Sequence, residues 1–334
     1  MKTKRISFLK GILSAVFMLA LMITVFTVMP VTASATNVSE VVYASNLVDG
    51  DDIVLTGDTT LYVNADVSLK SISGDYALEI QSDGEHTLTI DNPNGSAIYV
   101  KTLKSVKPSQ GTVNLTVEGG DSYFAIFTTG DINLDGVMLD VKGDCGIRAY
   151  TGNITINGNL FVSVKTYVGV NAPSGSVSID GDTVSILCAG EGVGGWADAI
   201  GAKNDVTLKS NDATLVSYYG ISSIEGDISL TGNIAIGAVR LAIVAESGSI
   251  TMNGSITAQG SDTEKDYFVI YAKEDINFTG SKLDVKGDSG IRAADGNITI
   301  NGNLSVSVMP LRKEKWRCQE CLSCIAHHIL REHR

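Results

Sequence analysis

Residues 146–164 read GIRAYTGNITINGNLFVSV, and residues 290–308 read GIRAADGNITINGNLSVSV. The offset between equivalent isoleucines is 291 − 147 = 144 residues. A run that returns at a fixed offset marks a repeat architecture, in which each unit buries its apolar face only against its neighbours. Within the stretch, GIRA, NITI and LFVSV alternate apolar and polar residues, the period that puts every second side chain on one face of a strand. Gly and Asn separate these segments, and both tolerate the positive φ that tight turns demand.

Working outward, ten copies align on the apolar residue of the first segment: Leu78, Ile98, Ile126, Ile147, Val170, Ile200, Ile221, Ile243, Ile270 and Ile291. Their spacings are 20, 28, 21, 23, 30, 21, 22, 27 and 21 residues, so long, short, short recurs. Internal duplication of a triplet explains that order. Three short strands in a unit of this length make one turn of a parallel β-helix, each strand pairing with its equivalents in the coils on either side.

The second segment supplies an inward pair in every copy: Leu88/Ile90, Val113/Leu115, Ile132/Leu134, Ile154/Ile156, Val177/Ile179, Val206/Leu208, Ile228/Leu230, Ile250/Met252, Ile276/Phe278 and Ile298/Ile300. Between the members of each pair lies Thr89, Asn114, Asn133, Thr155, Ser178, Thr207, Ser229, Thr251, Asn277 or Thr299. A charge repeated there would stack at about 5 Å on its equivalents, which hydroxyls and amides avoid. The fold class expected is all-β, a right-handed parallel β-helix of about ten coils with three short strands each, over residues 76–308. Residues 36–75 read as an N-terminal cap and first strands. Val38, Val41, Val42 and Leu47 stand near helical spacing behind Ser39, so residues 37–48 read as a short amphipathic helix.

The ends differ from the repeats. Lys2, Lys4, Arg5 and Lys10, the apolar run 12–29 and Ala33-Ser34-Ala35 read as a signal peptide, residues 1–35, cleaved before Thr36. The expectation is a secreted or cell-surface protein. Residues 309–334 interrupt a repeat with a basic, Cys- and His-rich tail, and a shifted reading frame or truncation is the favoured origin. Cys318, Cys321, Cys324 and His327 are the zinc candidates in that tail.

Residues 36–308 carry 15 basic and 34 acidic side chains, 15 − 34 = −19. Such a surface repels phosphate backbones and anionic lipid, which disfavours nucleic acid and membranes as partners. Cys145 and Cys188 read as small buried hydrophobes. No phosphate loop, nucleophile elbow or H-E-x-x-H pair is present, and no cofactor is expected, calcium apart. Asp140 with Asp144, and Asp284 with Asp288, are the calcium candidates. Solvated turn carboxylates beside Lys142 and Lys286 are the preferred alternative.

The outward positions of the first segment vary most: Glu79, Tyr99, Phe127, Arg148, Asn171, Gly201, Ser222, Val244, Tyr271 and Arg292. Aromatic rings offer apolar platforms to sugar faces, and Arg bonds hydroxyls or carboxylates. Tyr99, Phe127, Arg148, Tyr271 and Arg292 are therefore the carbohydrate-binding candidates; cation–π packing without a ligand explains the same residues. Tyr123, Trp196 and Tyr267 open corresponding long coils and are weaker candidates.

The units GIRAYTGNITINGN and GISSIEGDISLTGN resemble coils of secreted right-handed β-helix proteins of the pectin-lyase-like class, in particular carbohydrate-binding β-helix domains of Gram-positive surfaces. That resemblance implies the fold and a polysaccharide or cell-wall glycan as partner, and it transfers no catalytic residue. The function expected is a non-catalytic polysaccharide-binding solenoid. A structural or adhesive surface rod, or a β-helical polysaccharide lyase or hydrolase, are the alternatives.

Overall fold

The computed structural model describes residues 35–165, 168–189, 197–260 and 268–308. Residues 1–34 of the expected signal peptide 1–35, Trp196, Tyr267 and residues 309–334 with Cys318, Cys321, Cys324 and His327 lie outside them. The described chain is an all-β parallel solenoid of about 12 turns.

One column of first strands runs in register from Ile53 through Ile72, Ile98, Ile126, Ile147, Val170, Ile200, Ile221, Ile243 and Ile270 to Ile291. Leu78 does not belong to it. Leu78 stacks instead between Thr59 and Leu103 in the second column, which continues through Ile132, Ile154, Val177, Val206, Ile228, Ile250 and Ile276 to Ile298. Parallel pairing already begins with Ala35 on Asp52, so turns precede the first aligned unit and the count exceeds ten.

The slip carries through the first two second-segment pairs. Leu88 and Ile90 pair with Leu115 and Val117, and Val113 and Leu115 with Val137 and Leu139, all in the third-strand column. In those coils the second and third strands are separate elements with the same alternation, and the apolar signature of the true second strand fails at Ser105. Ser105 is 3 % exposed, and its hydroxyl donates to the Asp135 carbonyl at 3.1 Å and accepts the Asp135 N–H at 2.9 Å. Thr89 and Asn114 leave the neutral outward ladder accordingly. Below Asn133 that ladder continues as Lys104 and Glu79, ion-paired at 2.9 Å, so Glu79 is also absent from the first-strand face.

From Ile132 onward the second and third strands fuse into one long bent strand, such as Ile132–Gly143 and Ile154–Val164. Glycine marks the bend: at Gly158, φ +149°, a Cβ would collide with the Val137 carbonyl.

Residues 37–48 are not an amphipathic helix. Ala35–Tyr43 is a strand lying parallel on Asp52–Val63, and a single 3-10 turn, Ala44–Asn46, follows. The β-branched residues that suggested a helical face suit a strand equally well, and pairing satisfies the backbone edge of the first turn.

The interior is a continuous stack of branched side chains, from Ile53 at 4 % exposure to Phe278 at 0 %. Each buried aliphatic side chain contributes roughly 1.5–3 kcal/mol before entropy is subtracted. Part of the acidic excess sits in the turn before the second strand, where it has a structural use. The side-chain oxygen of Asp131 accepts the Asn153 N–H at 2.7 Å, that of Asn153 the Ser176 N–H at 2.8 Å, and that of Asp227 the Ser249 N–H at 2.7 Å. Asp205 and Asp275 do the same for Asp227 and Asn297. One acceptor thus caps the equivalent turn of the next coil.

Candidate functional site: the first-strand face

The parallel register places Tyr99, Phe127, Arg148, Asn171, Gly201, Ser222, Val244, Tyr271 and Arg292 directly over one another on the first-strand face. Because coils are about 4.8 Å apart, Arg148 and Tyr271 stand roughly 24 Å from each other. The five carbohydrate-binding candidates therefore form two groups, Tyr99–Phe127–Arg148 and Tyr271–Arg292, on one column.

The first group is the better built. The Tyr99 and Phe127 rings lie 5.2 Å apart and within 5° of parallel, and Tyr99 is 47 % exposed. Phe124 and Tyr150, which sequence patterning passed over, extend this floor at 6.4 Å from Phe127 on two sides. The Arg148 guanidinium carbon sits 5.1 Å from the Phe124 ring centre and 5.6 Å from that of Tyr150, a geometry that restrains a long cation against aromatic faces. Ser96, Tyr99, Ser122, Tyr123, Phe124 and Phe127 line an open recess at its edge.

Asp144 helps to shape that rim. Its carboxylate accepts the N–H of Ser122 at 2.7 Å, and Ser122 holds a left-handed φ of +67°, presenting Tyr123 at 50 % exposure. Among the other calcium candidates, Asp140 pairs with Lys142 at 2.7 Å, and one oxygen of Asp284 lies 3.2 Å from Lys282 and 3.4 Å from Lys286. Desolvation, the largest single contribution, pushes the Asp284 carboxyl up, but the two lysines together outweigh it and hold the carboxyl below its ordinary value. Among the described residues, no group of three or more His, Cys, Asp or Glu side chains is placed to hold a metal ion.

The second group repeats the motif, with the Arg292 guanidinium 5.2 Å from the Phe268 ring centre. A third cluster lies between the two: Arg240 sits 5.1 Å from the Tyr218 ring centre and donates from Nη1 to the Tyr219 hydroxyl at 3.0 Å. Phe268, Tyr218 and Tyr219 precede the first-strand isoleucines by two or three residues, so an aromatic at that fixed offset was the signal available in the sequence.

Between the aromatic clusters the face is polar, and Asp198 is its centre. Gly201 supplies no side chain, and Asp198 leans into that gap beside Asn171. Burial raises the Asp198 carboxyl to about 7, with Glu246 adding repulsion and a hydrogen bond from Ser222 opposing both. The buried Cys188 thiol faces the Asp198 carbonyl at 3.8 Å.

Comparison with protein-family models, with curated proteins and with solved structures finds no match. Fold and site together define a class, a parallel β-solenoid that displays a column of aromatic–arginine clusters along one face.

Proposed function

We propose that the first-strand face binds polysaccharide, and that the chain is a non-catalytic, secreted or cell-surface solenoid. The stacked pair Tyr99–Phe127, with Tyr99 47 % exposed, carries this reading, since exposed aromatic carbon offers apolar contact to sugar faces. Arg148, fixed beside that platform, supplies donors for hydroxyl or carboxylate groups. The polar stretch Asn171, Asp198 and Ser222 continues the same line with groups that bond hydroxyls. The second-strand ladder from Asn133 to Thr299 is neutral, and on the next outward ladder Asp180 is held in an ion pair with Lys209 at 2.8 Å.

A pull-down with a panel of insoluble plant and cell-wall polysaccharides tests the proposal. Retention by at least one of them is expected. No retention by any member refutes it, and release of unsaturated or reducing ends from a retained polysaccharide replaces it with a lyase or hydrolase.

A further inference from the structure

Tyr99 is stacked on one face only. Its ring lies within 5° of parallel with that of Phe127 on the following coil, at 5.2 Å between centres. On the coil before, the register puts Ser73 at the same outward position, and on the coil before that Val54. Phe127 therefore covers one face of Tyr99, while the other looks along the column over a serine too small to cover it. The drop from Tyr99 to Ser73 is a ring-sized notch between two coils.

The strand Ser71–Ser73 is the floor of this notch. Ile72 points inward at 0 % exposure, which leaves Ser71 and Ser73 on the outer face. At one end the Ser71 hydroxyl donates to Asp52 Oδ1 at 2.6 Å, and Lys70 pairs with the other oxygen of Asp52 at 2.9 Å. At the other end the chain turns at Gly74, φ +147°, and presents Tyr76 at 40 % exposure. Val54, Ser73 and Tyr99 are uncharged, and Asp52 and Lys70 neutralise each other, so the notch suits an uncharged ligand in a chain that is otherwise strongly acidic.

A pyranose packs its C–H face parallel to an aromatic ring, and in a chain of equatorial linkages the backbone runs close to the plane of its rings. Because stacking turns the faces of Tyr99 and Phe127 along the column, a sugar on the free face of Tyr99 stands between coils and its chain is directed across them. We propose that Tyr99 and Ser73 form a subsite for one pyranose of a neutral, equatorially linked glycan, whose chain crosses the solenoid along Ser71–Tyr76 instead of following its axis. This rests on the polysaccharide reading above and adds the ligand class and its direction. The path from Ser71 to Tyr76 spans about 16 Å of extended chain, room for about three sugars. Tyr271 stands roughly 34 Å from Tyr99 along the column, beyond the reach of that chain.

Calorimetric titration of the full chain with cello-, manno- and xylo-oligosaccharides of two to eight residues tests the subsite. Affinity for at least one series should rise up to about four residues and then level off. Ser73→Phe fills the free face of Tyr99 with a ring and should weaken binding at least tenfold. Thr251→Phe, the same bulk on the neutral second-strand ladder, should leave it within threefold. Because Ser73 points outward, Ser73→Phe keeps the wild-type urea midpoint or raises it, which separates lost binding from lost folding. If Ser73→Phe binds undiminished while Tyr99→Ala with Phe127→Ala does not, the subsite is overturned and the polysaccharide reading stands. Affinity still climbing at eight residues, or retention of a polysaccharide by a chain that binds none of these oligosaccharides, overturns the inference in the same way. Retention of no polysaccharide and binding of no oligosaccharide overturns both.

Discussion

The Asp198 carboxylate takes up the space that a side chain at Gly201 would need: a Cβ there would lie 2.9 Å from Asp198 Oδ2 and 3.3 Å from Asn171 Nδ2. Gly201→Ala should therefore push the carboxylate out of its slot. The expected outcome is a loss of about 1–3 kcal/mol of stability, the range for overpacking, read as a lower urea midpoint. Gly201→Ala in an Asp198→Ala background should recover part of that loss.

The same carboxyl makes stability depend on pH. Its folded value of about 7 lies above the ordinary carboxyl value of 3.8, so between these limits the folded chain holds a proton that the unfolded chain has released. Stability contributed by this group is complete below about pH 4 and is lost as pH rises through 7, by at most about 4 kcal/mol at 1.36 kcal/mol per unit. Asp198→Asn should raise the urea midpoint at pH 8 and leave it nearly unchanged at pH 4. An equal effect at both values would contradict the assignment.

Asp227 offers a test of the turn ladder with its own control. Asp227→Ala removes the acceptor of the Ser249 N–H and should cost about 0.5–1.5 kcal/mol. Asp227→Asn should cost little, because Asn153 already does this work for Ser176. Urea titration of the three proteins checks the ranking.

Leu160 and Leu304 occupy one position of one coil in its two copies, at 0 % and 47 % exposure. Leu160→Ala should cost about 2–5 kcal/mol and Leu304→Ala less than about 1 kcal/mol, read as shifts of the urea midpoint. Equal losses would contradict this difference in burial.

Much of this solenoid was legible because its ladders are chemical as well as geometric. From Ile126 onward, an apolar residue at a fixed offset was enough to align every first strand. The register failed at Leu78, Leu88 and Val113 because second and third strands share one alternation, and the distinguishing residue, Ser105, is a buried hydroxyl bonded to Asp135 rather than another aliphatic. The N-terminal strand Ala35–Tyr43 was misread as a helix because four apolar residues in a short window fit either period.

For the site, Tyr99, Phe127 and Arg148 followed from strand offset alone. Phe124 and Tyr150 did not, since their approach to Arg148 depends on how the flanking residues leave the strand. Asp198 was hidden for a different reason: what exposes its slot is a glycine, and a missing side chain has no signature until the neighbouring coils are in place.

The central claim, that the first-strand face binds glycan, is tested most directly by a binding isotherm. On whichever polysaccharide retains the wild-type chain, Tyr99→Ala with Phe127→Ala should weaken binding roughly tenfold or more, about 1.4 kcal/mol. Thr207→Ala, on the neutral second-strand face, should leave it unchanged. Undiminished binding by the double aromatic variant, or an equal loss in Thr207→Ala, would contradict the account.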